Sequence, residues 1–98
     1  MINVLVQHEV ADYPAWKAMF DAALDIRHKS GERSCRIFRT AGSVDNLTLL
    51  FEWDNLDRAK EFFASELVRE KMQTAGVKGQ PRLDYLTEMF TVRRSAAD

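Results

Sequence analysis

The sequence has little of what builds a disulfide scaffold or a metal centre. Its 98 residues include one cysteine, Cys35, and two histidines, His8 and His28. A single cysteine excludes an internal disulfide framework and a cysteine-built zinc site. The two histidines fall on a predicted strand and a predicted helix end, which is no recognisable metal-binding pattern. We therefore expect no metal site.

An excess of charge and long apolar runs are also missing. Fourteen basic and fifteen acidic side chains leave a net charge of −1. Nucleic-acid-binding proteins normally carry a basic excess, so we expect no nucleic-acid partner. No run approaches the roughly 18 apolar residues of a membrane-spanning helix, and the start of the chain has no signal-peptide pattern. These absences predict a cytoplasmic protein without a membrane partner.

Motifs for nucleotides and for activated nucleophiles are absent as well. The chain has no glycine-rich phosphate loop, no dinucleotide fingerprint and no nucleophile elbow. It does have the material for a core, because 25 of its 98 residues are Leu, Ile, Val or Phe. This exceeds the roughly 20 % below which chains tend to stay disordered. We expect one domain over residues 1–92 and a frayed tail over residues 93–98.

Hydrophobic periodicity predicts four strands and two amphipathic helices. The strands span residues 2–10, 34–41, 47–53 and 82–92, and the helices span residues 13–30 and 55–75. Asp12 is the predicted cap of the first helix, Ser65 marks a break in the second, and residues 79–81 form a loop. The order β-α-β-β-α-β predicts an α+β, ferredoxin-like fold, with both helices on one face of a four-stranded antiparallel sheet.

The sheet face away from the helices is unusually apolar. Among its polar residues it carries the large side chains of Leu5, Phe38, Leu50, Leu86 and Phe90. An apolar patch of this kind typically marks an interface. We expect two copies to pack through this face as an isologous homodimer. The alternative is an ordinary solvent-exposed face with scattered apolar residues.

Three stretches resemble a known group of proteins. They are VADYPAWKAMFD at residues 10–21, LLFEWD at residues 49–54 and EKMQTAGV at residues 70–77. They are similar to small proteins of the dimeric α/β-barrel superfamily, and most of all to antibiotic-biosynthesis-monooxygenase-like domains. The resemblance covers about residues 2–90 and implies a dimeric α/β barrel.

The resemblance also implies a range of activities. Members of the superfamily include cofactor-free monooxygenases of polycyclic quinols, haem-degrading oxygenases, muconolactone isomerases and stress-induced barrels. The Asn, Trp, Tyr and Arg that line the monooxygenase pocket do not map onto this chain position by position, although Trp53 and Tyr85 are matching residue types. Haem-degrading members use a helix-borne His, and residues 55–75 contain none. The implied function is a monooxygenase or isomerase without a cofactor, acting on an aromatic or polyketide-like small molecule.

His8 and Tyr85 are the candidate catalytic residues. His8 shares a strand face with Val4 and Val6, so its imidazole is expected to point toward the helices as a general acid or base. The alternative for His8 is a core-edge side chain that donates to a backbone carbonyl. Tyr85 carries a hydroxyl that needs a partner if it is buried.

Aromatic residues are the candidate substrate-binding set. They are Trp16, Phe20, Phe51, Trp53 and Phe62. An apolar cavity with a few polar groups is typical of ligand sites, but aromatic residues at these spacings are more often simply core. The function is therefore either that of a small enzyme or that of a non-catalytic ligand-binding or stress-related barrel.

Three further side chains have weaker claims on function. Arg27 and His28 fall near the end of the first helix, where solvated cations complement the helix dipole. Contact with an anionic substrate group is the alternative for both. Cys35 is expected to be a buried, inert thiol, although the neighbouring Arg36 offers a charge that lowers thiol pKa values.

Overall fold

The chain forms a four-stranded antiparallel sheet with four helical segments, in a computed structural model that describes residues 1–94. The elements are β1 (Ile2–Val10), α1 (Tyr13–Ala22), α2 (Leu24–Ser30), β2 (Glu32–Arg39), β3 (Asn46–Trp53), α3 (Leu56–Ala64), α4 (Glu66–Thr74) and β4 (Val77–Leu86). The strand order is β2-β3-β1-β4. This confirms the predicted ferredoxin-like α+β fold. Of the expected tail at residues 93–98, residues 95–98 lie outside the described part of the chain.

The core lies on one face of the two central strands. Val4 and Val6 of β1 and Leu49 and Phe51 of β3 are almost completely buried, as their alternation predicts. Trp16 of α1 packs into the same cluster. Burying a side chain of this size contributes roughly 1.5–3 kcal/mol. Among the described residues, no helix is long and apolar enough to cross a membrane.

Short polar side chains set where the helices begin. The Asp12 carboxylate accepts a hydrogen bond from the Ala15 amide at 3.2 Å, which confirms it as the cap of α1. Ser65 both ends α3 and begins α4. Its hydroxyl donates to the Phe62 carbonyl at 2.8 Å and accepts from the Val68 amide at 3.3 Å. The predicted break at Ser65 is thus confirmed.

The first helix is interrupted, which the periodicity did not predict. Ala23 leaves the helical conformation, with φ −92° and ψ 10°, and separates α1 from α2. The guanidinium of Arg27 donates to the Phe20 carbonyl at the end of α1. Carbonyls at a helix end need such partners because they lose their intrahelical ones. A side chain one turn into α2 therefore stabilises the break.

The last strand begins earlier and ends earlier than expected. It spans Val77–Leu86, so residues 79–81 form no loop outside the sheet, and residues 87–94 contain no strand. Gln7 pairs with Arg82 and Glu9 pairs with Lys78, which leaves three residues of β4 opposite one residue of β1. Pro81 is tolerated because β4 is an edge strand and the position is bulged. Phe90, expected on the open sheet face, lies beyond the strand.

The turn after α2 is held tightly against the end of β3. Gly31 has φ +119°, and its carbonyl accepts from the Asp54 amide at 3.0 Å. The Trp53 indole donates to the Ser30 carbonyl at 2.9 Å. A Cβ atom on Gly31 would lie 2.7 Å from the indole nitrogen and would also overlap the Asp54 carboxylate. Only glycine fits both this backbone conformation and this space.

Gly31→Ala is expected to destabilise the protein by about 3 kcal/mol, because backbone strain of roughly 1–2 kcal/mol adds to an overlap of similar cost. Gly42→Ala is the matched control, since Gly42 also has positive φ (+82°) but has open space around its Cβ position. The Gly42→Ala variant should be destabilised only by the backbone strain, since its Cβ atom overlaps nothing. Urea denaturation of both variants and the parent chain measures the difference. Equal losses at the two positions would contradict the proposed overlap.

Candidate functional site

A cavity of about 130 Å³ lies between the helices and the sheet and opens to solvent. Its walls are mostly apolar, with aromatic rings contributed by Trp16, Phe20, Phe51, Phe62 and Phe63. An engineered protein cavity of about 150 Å³ is known to hold benzene. The enclosed part therefore has room for about one aromatic ring, and a larger ligand would extend through the opening.

The structure places five of the seven candidate site residues on this cavity. They are His8, Trp16, Phe20, Phe51 and Phe62. Trp53 and Tyr85 do not line it. The Trp53 side chain is fully buried in the core beside it. The structure therefore brings His8 together with four of the five candidate aromatic residues at the cavity, but it does not bring His8 and Tyr85 together there.

Tyr85 lies on the edge strand β4 and packs against the margin of the core. The Lys60 ammonium is 5.8 Å from the centre of its ring. Burial raises the pKa of the Tyr85 phenol. A phenol in this environment stays protonated at neutral pH.

The aromatic side chains form a continuous wall. The rings of Trp16 and Phe20 are stacked, with centroids 5.0 Å apart, and Phe20 lies 6.3 Å from Phe51. His8 meets Trp16 edge-on, with centroids 5.6 Å apart. Offset and edge-to-face contacts of this kind add roughly 0.5–1.5 kcal/mol each beyond the area that they bury. The rings of the wall therefore support one another.

His8 is the one side chain in the described residues whose buried nitrogen atoms have no hydrogen-bond partner. His8 is only 8 % exposed, and neither Nδ1 nor Nε2 forms a hydrogen bond. The alternative role, donation to a backbone carbonyl, is therefore not observed. Burial lowers the pKa of His8 to about 4, so the imidazole is neutral at pH 7. A neutral imidazole offers a ligand one donor and one acceptor.

The bulge of β4 lies next to His8. His8 pairs with Leu47 of β3 but has no partner in β4, because residues 79–81 bulge out opposite it. Bulges are common beside functional sites, where they redirect a side chain or end the pairing of strands. The Gly-Gln-Pro run therefore has a structural role at His8 that a turn prediction does not capture.

Arg27 is a cavity residue and not a solvated helix-end cation. It is 6 % exposed, and its Nε donates to a carboxylate oxygen of Glu32 at 2.7 Å. Its guanidinium carbon lies 3.6 Å from the centre of the Phe20 ring. Glu32 is itself only 5 % exposed. The expectation that Arg27 is a solvated side chain is thus wrong, whereas His28 is exposed as expected.

Helix α4, together with the residue that caps its C-terminus, contributes cavity residues that the sequence pattern did not predict. Val68, Lys71, Met72 and Ala75 all line the cavity. Their spacing of three, four and seven residues places them on one helix face. That spacing could have identified these residues as one helix face that points toward the core. The lysine obscured the pattern, because a lysine within an apolar stripe is usually assigned to the solvent side.

Cys35 does not take part in this site. It lies on β2, is partly buried and packs against the core. Burial, together with the Glu32 carboxylate, raises the pKa of its thiol to about 12. The thiolate needed for nucleophilic chemistry is therefore almost absent at neutral pH.

The buried His8 should make folding stability depend on pH. Its folded pKa of about 4 lies below the unfolded value of 6.5, so the unfolded chain binds a proton first as pH falls. Stability is full above pH 6.5 and decreases toward pH 4. Between pH 7.5 and pH 5 we expect a loss of about 2 kcal/mol from this group. Urea denaturation at both pH values measures it.

His8→Gln should remove most of this loss, since glutamine does not titrate. His28→Gln is the comparison, because His28 is the other histidine and is exposed, although its Nε2 lies 3.8 Å from a Glu32 carboxylate oxygen. If the His8→Gln protein lost as much stability at pH 5 as the parent chain, the assigned state of His8 would be wrong.

Comparison with known proteins supports the fold. No family model matches the sequence, and a search of curated proteins gave no match. Solved structures do match. An antibiotic biosynthesis monooxygenase superimposes with a TM-score of 0.68 at 10 % identity, covering 91 % of this chain and 99 % of its own. SnoaB, a cofactor-independent oxygenase from Streptomyces nogalater, gives 0.67 at 11 % identity, covering 99 % of this chain and 97 % of its own.

A third solved structure agrees with these two. The protein comes from Bordetella bronchiseptica and is named for the same group of monooxygenases. It superimposes with a TM-score of 0.74 at 15 % identity, covering 91 % of this chain and 97 % of its own. Identities this low establish a shared fold and not a shared activity. The chain therefore has the fold of the antibiotic-biosynthesis-monooxygenase-like proteins.

Proposed function

We propose that this protein is a small cofactor-independent monooxygenase or isomerase that acts on an aromatic or polyketide-like small molecule. The observation that carries the proposal is the unpartnered His8 imidazole at an aromatic-walled cavity. A buried polar group without a partner costs roughly 1–3 kcal/mol, which a bound ligand with a hydroxyl or carbonyl group would recover. The shared fold with proteins named as monooxygenases, one of them cofactor-independent, supports it.

His8 is the proposed proton acceptor. As a neutral imidazole it can take a proton from a phenolic or enolic hydroxyl of the substrate. The resulting enolate is electron-rich, so it can react with dioxygen itself or take a proton back at another carbon. In the first course the reacting carbon keeps one oxygen atom of dioxygen as a carbonyl, and the other oxygen leaves as water with the hydrogen of that carbon and the proton held by His8, so the substrate supplies the electrons. The second course is isomerisation. The protein's contribution is proton removal, orientation of the ring and exclusion of water.

The aromatic wall is the proposed ring-binding surface. Adjacent aromatic rings are contributed by Trp16, Phe20 and Phe51. Phe62 of α3 also lines the cavity. Trp53 supports this wall from behind, at 5.0 Å from Phe62. Tyr85, a catalytic candidate from the sequence, is left out of the proposed chemistry because it does not line the cavity.

A non-catalytic ligand-binding role is the second candidate. It is favoured by the low pKa of His8, because an imidazole with a pKa of about 4 is a weak base in the free protein. In that case His8 would only hydrogen-bond the ligand. The catalytic and the ligand-binding function predict the same binding site. They differ in whether the bound molecule is converted to a product.

Oxygen uptake and product analysis with a dihydroxynaphthalene distinguish the two functions. The parent protein should exceed the protein-free rate, and His8→Gln should lower the excess at least tenfold while calorimetric affinity changes by less than about threefold. His28→Gln should behave as the parent. A rearranged product without oxygen uptake would indicate an isomerase. Binding without any turnover of this compound would favour the ligand-binding role.

We also propose that the protein is a homodimer that packs through its open sheet face. Leu5 and Leu50 are paired side by side at the centre of this face, and the exposed Phe38 and Leu86 lie toward its two edges. The face also carries satisfied polar pairs, such as Gln7 with Thr48 at 3.3 Å. An apolar centre with a polar margin is typical of protein interfaces.

Light scattering at micromolar concentration tests the homodimer. The parent chain should give twice its mass of 11.3 kDa. Leu50→Glu should give a folded monomer, because it places a charge at the centre of the interface and leaves the core side of β3 unchanged. Val44→Glu, in the exposed turn before β3, should remain dimeric. A monomeric parent chain would rule out the interface.

A further inference from the structure

The charges at the cavity are unevenly distributed. Three of its lining residues carry basic groups, namely His8, Arg27 and Lys71, and none of the described lining residues is acidic. His8 is buried and neutral at pH 7. The electrostatic character of the cavity therefore depends on Arg27 and Lys71.

Arg27 is already neutralised. Its guanidinium is bonded to the buried Glu32 carboxylate at 2.7 Å and to the Phe20 carbonyl. A ligand anion at Arg27 would have to compete with Glu32 for the same donors. Arg27 therefore contributes a flat, stacked surface to the cavity and little net charge.

Lys71 is not neutralised. Within residues 1–94 its ammonium forms no hydrogen bond and no ion pair. Its neighbours three and four positions away along the chain are Leu67, Val68, Thr74 and Ala75, and none of them is acidic. Lys71 is half-buried and lines the cavity. Lysine side chains in such places generally lay their methylene groups on apolar surface and keep the ammonium in water. Among the described residues that line the cavity, Lys71 thus carries the one positive charge without an ionic partner.

We propose that the cavity selects anionic aromatic ligands, and that Lys71 binds their acidic group at the mouth. The ring would lie against Phe20 and Phe51, a carboxylate or similar anion would meet Lys71, and His8 would face the inner end. Opposite charges at the edge of an apolar cavity attract more strongly than they do in water. This inference rests on the proposed function, because it assumes that the cavity binds an aromatic ligand.

A pair of nearly isosteric ligands tests the role of Lys71. 2-Naphthoate carries a carboxylate, and 2-naphthamide replaces it with a neutral amide of the same size. Isothermal titration calorimetry of Lys71→Met should show naphthoate affinity about tenfold weaker and naphthamide affinity changed by less than about twofold. Lys71→Arg should restore naphthoate binding. Raising the salt concentration should weaken naphthoate binding to the parent chain more than to Lys71→Met.

Two further variants separate this inference from the proposed function. Lys78→Met removes an exposed lysine from β4, outside the cavity, and should leave both affinities unchanged. Ala22→Trp adds bulk at an exposed position on the cavity lining and should weaken both ligands. In one outcome naphthamide binds the parent chain, Ala22→Trp blocks it, and Lys71→Met either weakens neither ligand or weakens both equally. That outcome overturns only the role of Lys71. If neither ligand binds the parent chain, or Ala22→Trp has no effect, the cavity site itself is overturned.

Discussion

The buried ion pair between Arg27 and Glu32 is the interaction on which the shape of this molecule most depends. It joins α2 to the start of β2, across the turn at Gly31. The same guanidinium caps the end of α1 and stacks on Phe20. Removing one partner of a buried pair typically costs roughly 3–5 kcal/mol, because the other charge is left without compensation. Two helices, an edge strand and one cavity wall are therefore held by a single side chain.

Aromatic side chains at the cavity wall and behind it are held by contacts from outside the cavity. Trp53 is fixed by its hydrogen bond to Ser30, and Phe20 is fixed by Arg27. Side chains that are held in this way cannot relax into the empty volume, and a cavity that cannot collapse lowers stability. The unpartnered His8 adds to that cost. Both features reduce the stability of the free protein, which is the usual trade-off at a site organised for a ligand.

The sequence allowed most of the fold to be predicted, and the reasons for the failures are physical. Alternation in β1 and β3 places Val4 and Phe51 on the helix side because a strand has only two faces. The break at Ala23 and the burial of Arg27 depend on a contact with Glu32 that periodicity does not contain. For the site, periodicity places Phe20 and Trp53 on inner faces alike. Periodicity does not show that a cavity remains beside Phe20 and that Trp53 is closely packed. The difference depends on packing among several helices and strands.

The state of His8 links the two candidate functions. Proton transfer from a ligand hydroxyl to His8 creates an imidazolium and an anion in an apolar cavity, and neither charge is stable there alone. Side by side they stabilise each other, because an adjacent anion raises the pKa of a buried imidazole. The imidazole that is a weak base in the free protein therefore becomes a stronger base once a suitable ligand is seated. A ligand without an acidic hydroxyl would only be bound, so in the proposed function the chemistry of the ligand would decide between binding and catalysis.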